Sequence, residues 1–269
     1  MKKGRLLGSG VTAEVYEWGH DKILKLFLEK FSNDDWVNNE ARVGQIVHES
    51  GVISPAVYGT VEVDGRKGII FQRIHGKSMV ESIITEPWKI YYYMKQTADL
   101  HYNIHKYSAK GLPSQKEKFT YIIRYSSRVL GYRTKRILDY LESLPDGENI
   151  CHGDLYLNNI IVSGNKLVPI DWGSAYKGNP LGDVARTCMI IRSPARPYGF
   201  LDILVMMSYY PKFLGYWIYI NEYMKLADVK FEDIDAWELP IAAAKLSDNL
   251  PGERDWLLNI IDKRLEQLN

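Results

Sequence analysis

The chain has 269 residues, which is enough for one or two domains with a substantial core. Apolar residues make up 46% of it and charged residues 25%, and its 12% of aromatic residues is more than a disordered chain carries. The 34 basic and 33 acidic residues give a formal charge of +1, which argues against a dedicated nucleic-acid-binding protein and a basic membrane-surface protein.

Cysteine content and hydropathy favour a cytoplasmic protein without a membrane partner. Cys151 and Cys188 are too few for a disulfide framework and do not form a CxxC pair. No apolar run reaches the roughly 20 residues of a transmembrane helix. Gly8, Ser9 and Gly10 interrupt what would be the apolar part of a signal peptide. The oligomeric state stays open.

The first 75 residues predict a small, strand-rich domain. Short β-like runs flank a turn at residues 8–12, another covers KILKLFL, and Asp64-Gly65 is typical of a hairpin between two more. One helix is predicted between the N-capping cluster at residues 32–35 and Gly51.

The chain after Gly76 is mostly helical in pattern, as is the stretch from Asp202 to Asn269, with one β-like hairpin predicted around residues 163–165. We therefore expect an α+β architecture of two lobes. Residues 1–75 form the β-rich N-terminal lobe and residues 76–269 the larger helical lobe, with a connector near residues 72–77. A cleft between two lobes is a usual place for a ligand.

Residues 150–185 carry the most informative motif. Asn159 follows Asp154 by five residues, and Asp171 ends a β-like run before Trp172-Gly173. Phosphoryl transfer from ATP needs a carboxylate that accepts the proton of the attacking hydroxyl, and oxygen ligands that hold Mg²⁺ against the phosphates. Asp154, Asn159 and Asp171 supply those groups.

The segments HGDLYLNNI, IDWG and GDVA resemble the catalytic signature of the aminoglycoside phosphotransferase/choline kinase family, which has a bilobal, protein-kinase-like fold. The resemblance spans the chain from Leu7 to about Arg186. It implies that Asp154 is the catalytic base and that Asn159 and Asp171 are ligands of the Mg²⁺ that binds with ATP.

The same resemblance assigns supporting and nucleotide-binding residues. It implies a structural role for His152 in the catalytic loop and a bracing role for Asp183. The residues expected to bind the nucleotide are Gly8, Ser9, Gly10, Lys25, Glu40, Phe71, Gln72 and Ile74. Glycines let backbone amides approach phosphate, and Lys25 and Glu40 form the lysine–glutamate pair that aligns it.

The catalytic loop departs from the usual family pattern HGDxHPGN at Tyr156, Leu157 and Asn158. These positions follow the base and face the acceptor, so Tyr156 and Asn158 are possible substrate contacts. The segments ADLHYNIHKY and LPSQKEKF resemble a bacterial subgroup of these phosphotransferases that is mostly unassigned in substrate. Within the second segment, SQKEK has the composition of a solvated face.

The sequence indicates less about the residues that bind the acceptor than about those that bind ATP. Residues 228–255 contain eight acidic and three basic residues, which is typical either of a wall that binds a cationic acceptor or of a solvated helix face. Interleaved aromatic residues favour core packing over sugar stacking. His101 and His105 have the i, i+4 spacing of a zinc pair, but without a further ligand they are interpreted as packing histidines.

The predicted function is therefore a phosphotransferase that moves the γ-phosphate of ATP to a hydroxyl of an aminoglycoside-like, choline-like or sugar-like small molecule. GTP is an alternative donor. A catalytically inactive nucleotide-binding regulatory module and a protein Ser/Thr kinase are the alternative functions. The span from Asp171 to Asp183 is too short for a protein-kinase activation loop.

Overall fold

The structure is a computed structural model that describes residues 3–108, 110–195 and 209–268. The N-terminal lobe is an antiparallel sheet in the order β1-β2-β3-β5-β4. Its strands are β1 (Leu6–Ser9), β2 (Ala13–Glu17), β3 (Lys22–Phe27), β4 (Val57–Val63) and β5 (Arg66–Gln72).

One long helix, α1 (Asp34–Glu49), lies between β3 and β4 in sequence. Asn33 begins it, because its side-chain oxygen accepts a hydrogen bond of 2.8 Å from the backbone amide of Trp36. Val37 of α1 packs on Phe27 and Ile69 on one face of the sheet. Side chains alternate between the two faces along a strand, so Lys25, two residues before Phe27 on β3, lies on this face too.

The C-terminal lobe is mainly helical. Its helices are α2 (Met79–Thr85), α3 (Ile90–Ile104), α4 (Gln115–Tyr125), α5 (Ser127–Leu130), α6 (Arg133–Ser143), α7 (Pro180–Arg192), α8 (Tyr209–Ala227), α9 (Phe231–Asp235), α10 (Glu238–Lys245) and α11 (Arg254–Gln267). Its core joins residues of α3, α4, α6, α7, α8, α10 and α11. The first residues of the predicted helical stretch, 202–208, lie outside the described residues.

Two small sheets lie in this lobe. One joins β6 (Lys77–Ser78), β8 (Ile160–Ser163) and β9 (Lys166–Pro169), and the other joins β7 (Asn149–Cys151) to β10 (Tyr176–Gly178). The β8–β9 hairpin lies where the sequence predicts it. The α+β arrangement of a β-rich lobe followed by a larger helical lobe is confirmed.

The connector between the lobes is short. The chain leaves the first sheet at Gln72 and enters the second at Lys77, which pairs with Val162. Gly76 lies beside this pairing with φ of 155°, and a side chain there would overlap the carbonyl of Val162. Glycine is therefore required at the point where the two lobes meet.

No helix in the described parts of the chain is both long and apolar enough to cross a membrane.

Leu24 tests the packing of the sheet that carries Lys25. Its side chain is completely buried against Trp18 and Leu26. Leu24→Ala is expected to lower the free energy of unfolding by roughly 2–5 kcal/mol, because it leaves a cavity in a small core. Urea unfolding measures this. Leu6→Ala, on an edge strand and 49% exposed, is the control and is expected to change it by less than about 0.5 kcal/mol. Equal effects of the two changes would contradict the packing described.

Candidate active site

The catalytic loop connects β7 to β8 and carries Asp154. Gly153 has φ of 76°, and a side chain there would overlap the carbonyl of Ser174, so the turn before Asp154 needs glycine. The backbone amide of Asp154 donates to Nδ1 of His152 at 3.3 Å, and Nε2 of His152 lies 3.1 Å from the carbonyl of Ile170. Burial lowers the pKa of His152, so the ring is a neutral connector between two backbone segments.

Asp183 anchors this loop from below. It lies in the first turn of α7, which Asn179 caps, and is completely buried. Its two carboxylate oxygens accept the backbone amides of His152 at 2.6 Å and Gly153 at 2.9 Å. Burial opposes its charge, but His101 and His105 hold the pKa of Asp183 well below its ordinary value.

His101 and His105 contact the same carboxylate from α3. Their Nε2 atoms lie 2.9 Å and 3.3 Å from Oδ2 of Asp183. Their Nδ1 atoms lie 2.6 Å and 2.7 Å from the hydroxyls of Tyr219 and Tyr223 on α8. The His–His–Asp cluster has the compactness of a metal site. Because both nitrogens of each ring already have a protein partner, we interpret it as a hydrogen-bond network of packing histidines.

Asp154 lies at the open side of the loop, with its side chain 34% exposed. Burial raises the pKa of its carboxyl to about 6, with Asp171 and Asp248 acting in the same direction and Arg186 against it. The amide nitrogen of Asn159 contacts Oδ2 of Asp154 at 3.3 Å. A carboxylate with a pKa near 6 is ionised at neutral pH yet basic enough to take a proton.

Asn159 and Asp171 lie on adjacent segments. The amide of Ile170 donates to the backbone carbonyl of Asn159 at 2.9 Å, which fixes the residue before Asp171 against Asn159. Asp171 itself has left-handed backbone angles, with φ of 64°, a conformation that aspartate tolerates better than most residues. The amide nitrogen of Asn159 faces Asp154, so its oxygen is the atom free to meet a cation. Carboxylate and amide oxygens fit Mg²⁺.

Lys25 joins the two lobes through its charge. Its Nζ lies 2.6 Å from Oε1 of Glu40 on α1 and 2.8 Å from Oδ1 of Asp171. Burial alone would lower the pKa of Lys25, but the two carboxylates raise it above its ordinary value. The lysine is therefore a fixed, largely buried cation between α1 and Asp171.

The other residues predicted to bind the nucleotide belong to the sheet of the N-terminal lobe or to the turn and connector next to it. Gly8 and Ser9 belong to the exposed strand β1, and the amide of Gly10 donates to Ala13 at 2.8 Å in the following turn. A side chain at Gly8 would meet open space. Phe71 on β5 pairs with Ile23 on β3. Its side chain packs against the small core between α1 and the sheet.

Gln72 and Ile74 lie at the end of β5 and at the start of the connector. The backbone amide of Gln72 donates to Ala56 at 2.8 Å, and its side-chain oxygen accepts the amide of Ala56 at 3.3 Å. Ile74 is half-buried between the lobes. Both residues therefore lie where the sheet of the N-terminal lobe ends and the connector begins.

Tyr156 is half-buried beside the same carboxylates. Burial, followed by the charges of Asp154 and Asp171, raises the pKa of its hydroxyl to about 12. Asn158 lies in the short 3-10 turn Leu157–Asn159. The hydroxyl of Tyr156 is therefore neutral beside Asp154 and Asp171.

A model of the phosphotransferase enzyme family, APH, matches residues 3–204. The chain belongs to this family. The prediction of a phosphotransferase is thereby confirmed. A comparison with curated protein sequences gives no match.

The phosphotransferase is also similar to solved structures. Aminoglycoside phosphotransferase APH(4)-Ia is 16% identical, with a TM-score of 0.63 over 96% of this chain and 91% of that one. The streptomycin-ATP ternary complex of APH(2")-IIa is 15% identical, with a TM-score of 0.55 over 99% and 91%. Choline kinase from Cryptosporidium parvum Iowa II is 12% identical, with a TM-score of 0.57 over 99% and 90%. At these identities the likeness is one of fold, and it confirms the bilobal, protein-kinase-like architecture.

Sequence reasoning missed several charged residues of the phosphotransferase. The solvated face predicted for SQKEK is wrong, because Gln115 is buried and Lys118 donates from α4 to the carbonyl of Ser174. Burial, followed by the charge of Arg186, lowers the pKa of Lys118 to about 8. Arg186 was also missed. The sequence does contain a signal for it, because it follows Asp183 by three residues on α7 and residues three apart share a helix face.

Four of the eight acidic residues in the window 228–255 form ion pairs within the described part of the protein. Asp235 and Glu238 pair with Arg264, and Glu253 pairs with Lys245. The aromatic residues Tyr219, Tyr223 and Trp237 are core residues, as expected, whereas Trp217 is 41% exposed. Among the acidic residues of this window, Asp248 is the one that contacts Arg186 beside the catalytic loop.

His105 makes the stability of the phosphotransferase depend on pH. Burial and the neighbouring His101 lower the pKa of His105 from 6.5 to about 4. The unfolded chain therefore binds more protons than the folded chain within this window, and the free energy of unfolding falls as the pH decreases through it. The slope from this group is at most ~1.4 kcal/mol per pH unit.

His105→Gln is expected to reduce that slope, because its amide keeps polar contacts with Asp183 and Tyr223 without titrating. Urea unfolding at about pH 7 and about pH 5 measures the difference. His20→Gln, at a side chain that is 95% exposed, is the control and is expected to follow the parent protein. Parallel slopes for the parent and His105→Gln would contradict the assignment.

Proposed function

We propose that this phosphotransferase moves the γ-phosphate of ATP to a hydroxyl group of a small molecule, with Asp154 as the base. The observation that carries the proposal is the position of Asp154, which is a third exposed at the end of a braced loop. Asn159 contacts Asp154, and the Lys25 cation contacts Asp171. These are the groups that phosphoryl transfer requires.

The nucleotide belongs between the lobes in this proposal. Residues 1–75 act as the nucleotide-binding lobe, and residues 76–269 carry the catalytic loop and the acceptor region. Two complexes of similar fold support the use of a nucleotide. One is a mutant of APH(4)-Ia in a ternary complex with AMP-PNP and hygromycin B, and the other is APH(3'')-Id from Streptomyces rimosus with ADP and streptomycin. ATP is the proposed donor, and competition with GTP tests the alternative.

Asn159 and Asp171 would hold Mg²⁺, since hard oxygen donors on adjacent segments suit that ion. When bound, Mg²⁺ neutralises charge on the phosphates. Lys25 adds a fixed positive charge, which Glu40 keeps in place from α1 at 2.6 Å. Because both groups are already oriented in the folded chain, they stabilise the charge of the transferred group without reorganisation.

In the transfer step, the acceptor hydroxyl gives its proton to the carboxylate of Asp154. The hydroxyl oxygen forms a bond to the γ-phosphorus, while the bond from that phosphorus to the bridging oxygen breaks. The electron pair of the broken bond stays on ADP, which leaves. Asp154 then returns its proton to solvent.

The acceptor is proposed to be a hydroxylated small molecule of the aminoglycoside, choline or sugar type. Asp154 and Asp248 both remain partly exposed, with side-chain exposures of 34% and 27%. Because Asp248 is paired with Arg186 and Lys245, the set keeps both cationic and neutral hydroxyl compounds.

Asp154→Asn tests the base. The amide keeps the shape of the side chain but cannot take the proton, so turnover is expected to fall by roughly 10²- to 10⁴-fold while nucleotide affinity stays within about twofold. The measurement is Mg²⁺-dependent ADP release with aminoglycosides, choline-like amines and sugars as acceptors, alongside calorimetric binding of ATP. Asp139→Asn is the matched control, because Asp139 pairs with Lys135 on an exposed face.

An unchanged rate in Asp154→Asn would overturn the assignment. Nucleotide binding without ADP release under any acceptor would instead favour an inactive regulatory module. Phosphate appearing on a generic protein substrate would favour a protein kinase.

Asp171→Asn tests the cation site. Removal of this charge is expected to raise the Mg²⁺ concentration for half-maximal ADP release by about tenfold or more, because a carboxylate binds Mg²⁺ better than an amide. A Mg²⁺ titration of ADP release measures it. Asp139→Asn again serves as the control, and an unchanged Mg²⁺ requirement in Asp171→Asn would remove Asp171 from the site.

A further inference from the structure

Arg186 lies on α7, three residues after Asp183, and reaches the catalytic loop. Its Nε donates to the carbonyl of Gly153. Its Nη2 lies 3.3 Å from Oδ2 of Asp248 and 3.8 Å from Oδ1 of Asp154. The guanidinium therefore connects three elements: the turn before the base, the base itself and the segment after α10.

Asp248 is held in place by buried charges behind it. Lys245 lies 3.5 Å from Asp248 and donates to both carboxylate oxygens of Glu253 at 2.7 Å and 2.6 Å. Lys245 and Glu253 are 2% and 1% exposed, and Ser193 at the end of α7 donates to Glu253. Because buried ion pairs with several hydrogen bonds keep one geometry, this arrangement fixes the outer anchor of Arg186.

The contact between Arg186 and Asp154 differs from the other two. At 3.8 Å it is an ion pair without a hydrogen bond, so the carboxylate oxygen is oriented by charge and still has its lone pairs available. Arg186 is planar and is fixed by Gly153 and Asp248. A lysine has a single side-chain nitrogen and cannot reproduce these two contacts of the planar guanidinium.

We propose that Arg186 is a positioning residue for phosphoryl transfer, which holds the Asp154 carboxylate toward the acceptor and links it to Asp248 of the C-terminal segment. This inference rests on the proposed role of Asp154 as the base. The inference also gives residues 245–253 a part in the reaction. These residues lie beyond the match to the family model at residues 3–204. A misplacement of about 1 Å in a reacting group costs up to roughly 10²-fold in rate.

The test uses the full chain with Mg·ATP and water as the acceptor, so that binding of an acceptor plays no part. Arg186→Gln is expected to lower kcat for ADP release by roughly tenfold to 10²-fold, with KM for ATP within about twofold. Arg186→Lys is expected to recover part of that loss, since it restores the charge but not the fork. Asp248→Asn, which keeps Arg186 and removes its anchor, is expected to lower kcat by about threefold to tenfold.

Arg192→Gln is the matched control on the same helix. Arg192 pairs with Glu238 at 2.6 Å, away from the catalytic loop, so its kcat is expected to equal that of the parent protein. If Arg186 had only a structural role, Arg186→Gln would lower stability and nucleotide affinity together with kcat. Arg186→Lys would then recover none of the lost kcat. A kcat in Arg186→Gln or Asp248→Asn equal to that of Arg192→Gln would overturn the proposal.

Crystal structures with Mg·AMP-PNP give a second readout that needs no activity. The carboxylate of Asp154 is expected to move by about 1 Å or more in Arg186→Gln and to stay in place in Arg192→Gln. An unmoved carboxylate overturns the proposal. If Arg186→Gln does not fold, Asp248→Asn carries the same comparison. A parent protein that releases no ADP with water or any acceptor contradicts the proposed function, whereas the position of Asp154 still decides the role of Arg186.

Discussion

The buried carboxylate of Asp183 is the interaction on which the active site depends. It accepts the amides of His152 and Gly153 directly before Asp154, the proposed base, and two histidines of α3 stabilise its charge. An isolated buried carboxylate is costly, but one with four donors is stable and rigid. The turn that presents Asp154 is therefore fixed by the helical core and not by the exposed loop itself.

Charge then connects the two lobes across the cleft. Lys25 from the sheet contacts Glu40 on α1 and Asp171 in the C-terminal lobe, so one cation bridges segments 146 residues apart in sequence. Arg186 likewise connects two segments, since it donates to the carbonyl of Gly153 and to Asp248. Burial, together with the charges of Asp171 and Asp248, raises the pKa of the Asp154 carboxyl to about 6, and Arg186 opposes this shift. Fixed charges of this kind favour chemistry by preorganisation.

The architecture and the central motif follow from local signals in the sequence. Asn159 and Asp171 flank the predicted β8–β9 hairpin, and short β-like runs with the Asp64-Gly65 turn indicate the sheet that carries Lys25 on its central strand. The contact of Arg186 with Asp248 depends on how α10 packs against α7, and no local pattern encodes a pairing across 62 residues. Composition likewise could not show that Asp235, Glu238 and Glu253 are paired within the protein, because pairing is a tertiary property.

The fate of the γ-phosphate tests the account most directly. The protein is incubated with Mg²⁺ and ATP labelled at the γ-phosphate, together with the panel of hydroxylated amines and sugars, and the small molecules are then separated from the protein. The account predicts label on one class of small molecule, lost when Asp154 is replaced by asparagine, and no label on the protein. Label on the protein alone, or transfer that survives the replacement, would contradict it.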